Sequence, residues 1–104
     1  MKVISSENFN EEVIQSQIPV FLEFYSDTCI PCKRMSPILA ELEVKYGAVK
    51  FVKLNVNFGA DIAQEYKVMA SPTFLLFREG KEINRLRGVV KEEQLVEMIG
   101  EVLQ

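Results

Sequence analysis

Three short apolar runs constrain this chain more than any other feature: Val20-Phe21-Leu22-Glu23-Phe24-Tyr25, the segment Lys50 to Val56, and Thr73 to Arg78. Each carries the apolar, β-branched and aromatic residues of a buried strand. Helical spacing fills the intervals between them. From about Lys33 to Tyr46, the residues Met35, Ile38, Leu39, Leu42 and Tyr46 fall on one face. Ala60 to Tyr66 reads as a short helix, started by Gly59 and Asp61. Lys91 to Leu103 reads as a last one, with Leu95, Met98, Ile99 and Val102 turned inward and Glu92 and Glu93 at the positive end of its dipole. Ahead of the first run, Lys2-Val3-Ile4 suits a short edge strand. Asn8 and Glu11 fit a capping box for a first helix that carries Phe9, Val13 and Ile14. Gly47 is placed to cap the second helix, and Glu79-Gly80 forms a tight turn into a strand from Glu82 to Arg87. The order βαβαβαββα predicts an α/β fold, a mixed five-stranded sheet with helices on both faces.

At 104 residues the chain has the length of one domain, spanning 1–104, with enough residues for one core. A net charge of −3 with scattered lysines and arginines argues against a nucleic-acid partner. Glu7, Glu11 and Glu12 interrupt the first twenty residues, so no secretory leader is expected. No segment has the roughly 18 apolar residues of a membrane span. These readings predict a cytoplasmic monomer without membrane partners.

The chemistry concentrates at Cys29-Ile30-Pro31-Cys32, which holds both cysteines of the chain and joins the first apolar run to the helix that follows. Two intervening residues let the sulfurs bond with little backbone distortion, and a helix N-terminus favours a thiolate. The chain has no histidine, which removes cysteine–histidine nucleophiles and histidine metal ligands. Two cysteines cannot build a four-cysteine zinc site. Redox chemistry, with no metal and no bound cofactor beyond a Cys29–Cys32 disulfide, is the main reading. Cys29, where loop meets helix, suits an attacking thiolate facing solvent; Cys32, inside the helix start, suits a less exposed resolving thiol. Lowering a thiol pKa from about 8.5 to about 7 raises the thiolate fraction roughly 15-fold at pH 7, but the lower nucleophilicity leaves only about a threefold gain in attack rate. The larger advantages are a good leaving group and a second thiol at high effective concentration. Glu23 and Lys53 are lone charges in apolar runs, and burial of either calls for a pair or a raised carboxyl pKa.

With Glu23-Phe24-Tyr25, Cys29-Ile30-Pro31-Cys32-Lys33, Pro37, Lys53-Leu54-Asn55-Val56, Ser71-Pro72-Thr73, Arg78-Glu79-Gly80-Lys81 and Gly88 at these spacings, the whole chain resembles the thioredoxin family. The resemblance implies the thioredoxin fold. It also implies a protein dithiol–disulfide oxidoreductase, with disulfide-bearing substrate proteins and a thioredoxin reductase as partners. It gives Glu23 the role of general base for Cys32, with Lys53 as its partner. It implies a cis peptide between Ser71 and Pro72 beside the cysteines, and makes Gly88 a close-approach glycine of the same surface.

The chain departs from the family's usual residues at four positions. Thr28 and Tyr25 stand where tryptophans are usual, Ile30 replaces a glycine, and Ser71 replaces an apolar residue. A substrate surface of Thr28, Ile30, Pro31, Ser71, Pro72 and Gly88 therefore has an altered rim, suited to general reduction or to a few particular partners. In glutaredoxin-like proteins the proline directly follows the first cysteine, so Ile30-Pro31 argues against that class. A non-catalytic interaction module is the remaining alternative, and the retained Cys29, Cys32, Glu23 and Pro72 argue against it.

Overall fold

The computed structural model describes residues 1–103. Five strands, β1 (Lys2–Ile4), β2 (Val20–Tyr25), β3 (Lys50–Asn55), β4 (Thr73–Arg78) and β5 (Lys81–Arg87), form one sheet in the order β1-β3-β2-β4-β5. β1, β3 and β2 run parallel, and β4 and β5 are antiparallel to their neighbours. The sheet is therefore mixed, as the element order predicts. α1 (Ile30–Lys45), α2 (Ala60–Glu65) and α3 (Glu92–Gly100) complete the fold with a π-helical turn at Asn10–Ile14.

Strand alternation sends the apolar residues to two cores. Val20, Leu22 and Phe24 of β2 join Val52, Leu54, Leu75 and Phe77 against Phe9, Val13, Ile62 and Ala63. Phe21, Phe51, Phe74 and Leu76 face the other way, against Met35, Leu39 and Leu42 of α1 and Leu95, Met98 and Ile99 of α3. Phe21 lies between Phe51 and Phe74, with ring centroids 4.9 and 5.6 Å away. The inner strands β2 and β4 are apolar on both faces because both faces are covered. β2, the middle strand, carries Glu23 on the α1 and α3 face.

Local signals differ from the structure in three places. Asn8 does not cap a helix: its side chain accepts the Ser5 N–H at 2.7 Å, and the turn that follows has no side-chain cap. Glu12 instead receives Lys2 and Lys50, each at 2.7 Å, so a cross-link to the strands shapes this turn more than capping does. Gly47 is not a left-handed cap either. α1 ends at Lys45, where the Tyr46 N–H donates to the Leu42 carbonyl at 2.9 Å, and only Gly80 and Gly88 among the glycines have positive φ. At the hairpin, Glu79 and Gly80 have φ of 54° and 79°, which matches the right-handed twist of β4 and β5. α3 starts where its periodicity suggests, with Lys91 as N-cap and the Gln94 side chain accepting the Lys91 N–H at 3.0 Å, but it ends at Gly100, short of the expected Leu103. Val102 lies beyond the end of α3 and still packs, partly buried, on the core. Among the described residues no helix is long and apolar enough to cross a membrane.

Candidate active site

The sheet topology gathers the singled-out residues at one end. β2 and β3 run parallel and end side by side at Tyr25 and Asn55. β4 starts there, because Thr73 pairs with Phe24, and β5 finishes there, because Arg87 pairs with Thr73. The loop from Ser26 to Cys29, the Ser71-Pro72 segment and Gly88 thus share the same edge of the sheet.

Cys29 is the N-cap of α1. Its extended backbone (φ −81°, ψ 100°) lets the sulfur accept the Cys32 N–H at 3.1 Å, one of the donors left unpaired in a first helical turn. Pro31 occupies a first-turn position, where the missing N–H removes no helical bond. The two sulfurs are joined as a disulfide, with Cα atoms 5.2 Å apart. In general, a backbone N–H that faces a sulfur at a helix N-terminus favours its thiolate form. The contrast in exposure anticipated from the sequence is slight: Cys29 is 7% exposed and Cys32 5%. The Cys29 N–H is tied to the Ser26 carbonyl at 3.2 Å, which folds the loop over the helix start. The difference between the cysteines is one of direction. Cys32 lines a cavity of about 190 Å³ with Glu23, Tyr25, Ser26, Asp27, Lys33, Ser36 and Lys53, whereas Cys29 is not in its wall.

Glu23 is the buried charge of that cavity, 3% exposed in the middle of the sheet. Its Oε2 has no hydrogen-bond partner. Burial pushes its pKa up from 4.5 to about 7, and the nearby Lys53 charge offsets only part of that. Lys53 is its register neighbour on β3. The lysine makes no ion pair with the carboxylate; its ammonium lies over the Tyr25 ring, 4.8 Å from the centroid. Of the two outcomes that burial allows, a close pair or a raised carboxyl pKa, the structure has the second. Burial also raises the Tyr25 pKa, helped by the charges of Asp27 and Glu23. Sequence reasoning missed this lysine–ring contact, and it missed Asn55, which is 5% exposed. The signal was available: Lys53 and Asn55 are polar residues at i and i+2, hence on one face of β3.

On the outer side of the motif, Ile30 is 62% exposed and Thr28 is also exposed. The Ser71–Pro72 peptide is cis, with Pro72 buried and Ser71 half-buried. The Pro72 carbonyl accepts the Gly88 N–H at 2.8 Å, which joins the two segments. Gly88 has φ +76°, and a Cβ there would meet nothing within 4 Å. Its backbone conformation, not crowding within the protein, calls for glycine.

Comparison with known proteins agrees with this geometry. The model of the Thioredoxin family matches residues 1–101. A relative named "Probable thioredoxin-2" from Caenorhabditis elegans is 38% identical over 100 residues, covering 95% of this chain and 69% of that protein. "Thioredoxin" from Chlamydia caviae is 34% identical over 101 residues, 97% of each chain. "Thioredoxin" from Synechocystis is 31% identical over 101 residues, covering 96% of this chain and 94% of that protein. The mixed sheet, the disulfide at the start of α1 and the match over nearly the full length agree: the chain belongs to the thioredoxin family and is a dithiol–disulfide oxidoreductase.

Proposed function

We propose that the chain reduces disulfides of substrate proteins, with Cys29 as nucleophile and Cys32 as resolving thiol. The Cys29 thiolate attacks one sulfur of the substrate disulfide. A Cys29–substrate disulfide forms and the other substrate sulfur leaves as a thiolate. Glu23 takes the proton of Cys32, directly or through water in the cavity. The Cys32 thiolate attacks the Cys29 sulfur and releases the second substrate thiolate, leaving the Cys29–Cys32 disulfide. Two electrons pass from the chain to the substrate, and a thioredoxin reductase returns them.

One observation carries this order of events. The Cys29 sulfur receives an N–H of the first turn of α1, while Cys32 shares a cavity with a buried carboxyl that holds protons near neutral pH. A base with a pKa near the working pH combines availability with driving force for proton transfer. Lys53 lends its charge to the same cavity. Thr28, Ile30, Pro31, Ser71, Pro72 and Gly88 form the substrate surface, where exposed Ile30 offers an apolar contact and half-buried Ser71 precedes the cis-proline. The chain works as a cytoplasmic monomer and needs no cofactor or metal beyond the cysteine pair.

Trapping tests the assignment. Cys32→Ser should accumulate a mixed disulfide with a model protein disulfide, and Cys29→Ser should not; the reverse result would exchange the two roles. Turnover is measured with dithiothreitol and with NADPH- and ferredoxin-linked reductases. Failure with every reductant would favour a binding module.

A further inference from the structure

Glu23 and Lys53 are register neighbours on adjacent parallel strands, a placement suited to a direct ion pair. None forms. The lysine ammonium lies 4.8 Å from the Tyr25 ring centroid, and Glu23 Oε2 has no partner. Tyr25 follows Glu23 by two residues in β2, so its ring stands on the same face of the sheet as the carboxyl. A partly desolvated ammonium is attracted to the face of an aromatic ring, and that attraction competes with a carboxyl whose burial favours the neutral form. From this placement we infer that Tyr25 is a positioning residue: its ring holds the Lys53 ammonium off the Glu23 carboxyl, leaving that carboxyl free to take the Cys32 proton.

The inference rests on the proposed role of Glu23 but reaches further, since it assigns the control of that role to another residue. The neighbourhood contains few competing charges. On β2 and the loop after it are Tyr25 and the exposed Asp27; on β3 is Lys53; on α1 are Cys32 and the exposed Lys33. β4 presents Phe74 opposite Glu23, which does not titrate. Lys53 is therefore the cation whose position decides how readily the carboxyl keeps a proton. If the ring were absent, the ammonium would settle on the carboxylate and turn a proton acceptor into one half of an ion pair.

Carboxyl NMR of protein labelled with 13C at the glutamate side chains reads this directly, without substrate. Tyr25→Leu is expected to lower the Glu23 titration midpoint by at least about one pH unit, the effect of an opposite charge moving into contact. Tyr25→Phe keeps the ring and is expected to leave the midpoint unchanged. In a Lys53→Met background the leucine substitution is expected to have no such effect. An unchanged midpoint in Tyr25→Leu, an equal drop in Tyr25→Phe, or a drop that persists without Lys53 overturns the inference. Should Tyr25→Leu fail to fold, fluorinated phenylalanines placed at position 25 weaken the ring face while retaining its shape. They are expected to lower the midpoint in step with fluorine number, and absence of a trend counts against the role. The role of Glu23 itself is separable: if Glu23→Gln resolves mixed disulfides at the unaltered rate, the proton-acceptor reading fails even where the titrations behave as expected.

Discussion

At the scale of single residues, Glu23 is the side chain with the most to report, because its burial bears directly on the proposed proton transfer from Cys32. Burial pushes its pKa up from 4.5 to about 7, so the basic form needed for the proposed proton transfer accumulates as the pH rises through neutrality. The rate of mixed-disulfide resolution should therefore climb up to about pH 7 and level off above it. In Glu23→Gln that base is gone. Stopped-flow measurement should show resolution slowed on the order of 100-fold at neutral pH, the scale of general-base catalysis, with its midpoint moved toward the roughly 8.5 of a free thiol. Formation of the mixed disulfide, which depends on Cys29, should change far less. Equal slowing of both steps would remove Glu23 from the proton path. The need for a special environment at Glu23 was legible from the sequence, since one carboxylate stands in an apolar run. The position of the Lys53 ammonium was not, because a long flexible side chain can reach either the carboxyl or the ring.

At the scale of elements, the turns separate glycines that the backbone needs from glycines that it tolerates. Gly80 has φ +79°, and an added Cβ would lie 2.8 Å from the Ile14 carbonyl oxygen. Gly80→Ala should destabilise the fold by about 1–3 kcal/mol, since the left-handed conformation and a backbone clash act together. Gly47 has no such constraint, and nothing lies within 4 Å of a Cβ built there. Gly47→Ala should be neutral or stabilising by up to about 1 kcal/mol, through the unfolded chain. Urea denaturation of the two variants side by side checks both, and equal losses would contradict the distinction. Helix α1 shows a related contrast. Its apolar face of Met35, Leu39 and Leu42 is legible in the spacing and is buried as read. Its N-cap turned out to be Cys29 itself, through a sulfur that accepts a backbone N–H, a contact that no propensity encodes.

At the scale of the whole molecule, a buried carboxyl in the middle strand makes stability depend on pH. Between 4.5 and about 7 the folded oxidised chain retains a proton on Glu23 that the unfolded chain has released. Stability therefore falls as the pH rises through that window, by at most about 3 kcal/mol, and stays lower above it. Glu23→Gln removes the titration. Its melting temperature should match that of the parent near pH 5 and exceed it near pH 8, as scanning calorimetry would reveal. A parent chain that grows more stable across the window would mean that the carboxylate has found a partner. The rest of the sheet tolerates this charge because both faces are otherwise filled: Phe21 and Phe74 next to it are fully buried. Truncating either to alanine costs about 3–5 kcal/mol, which outweighs what Glu23 subtracts.

The sequence by itself determined the order of elements, the five strands, the inward faces of the helices and the redox character of the cysteine pair. All of these follow from local periodicity and from residue types that admit few chemistries. Tertiary structure decided where the charges go. Asn8 turned to the Ser5 N–H instead of capping a helix, and Glu12 was drawn to Lys2 and Lys50 across the fold. Lys53 came to rest over Tyr25, and Glu23 was left without a close partner in the cavity that Cys32 lines. Apolar burial is a sum over many weak contacts and survives as an average that spacing reveals. The partner of a single charged group depends on distances of a few ångströms between strands, which exist only once the sheet has assembled.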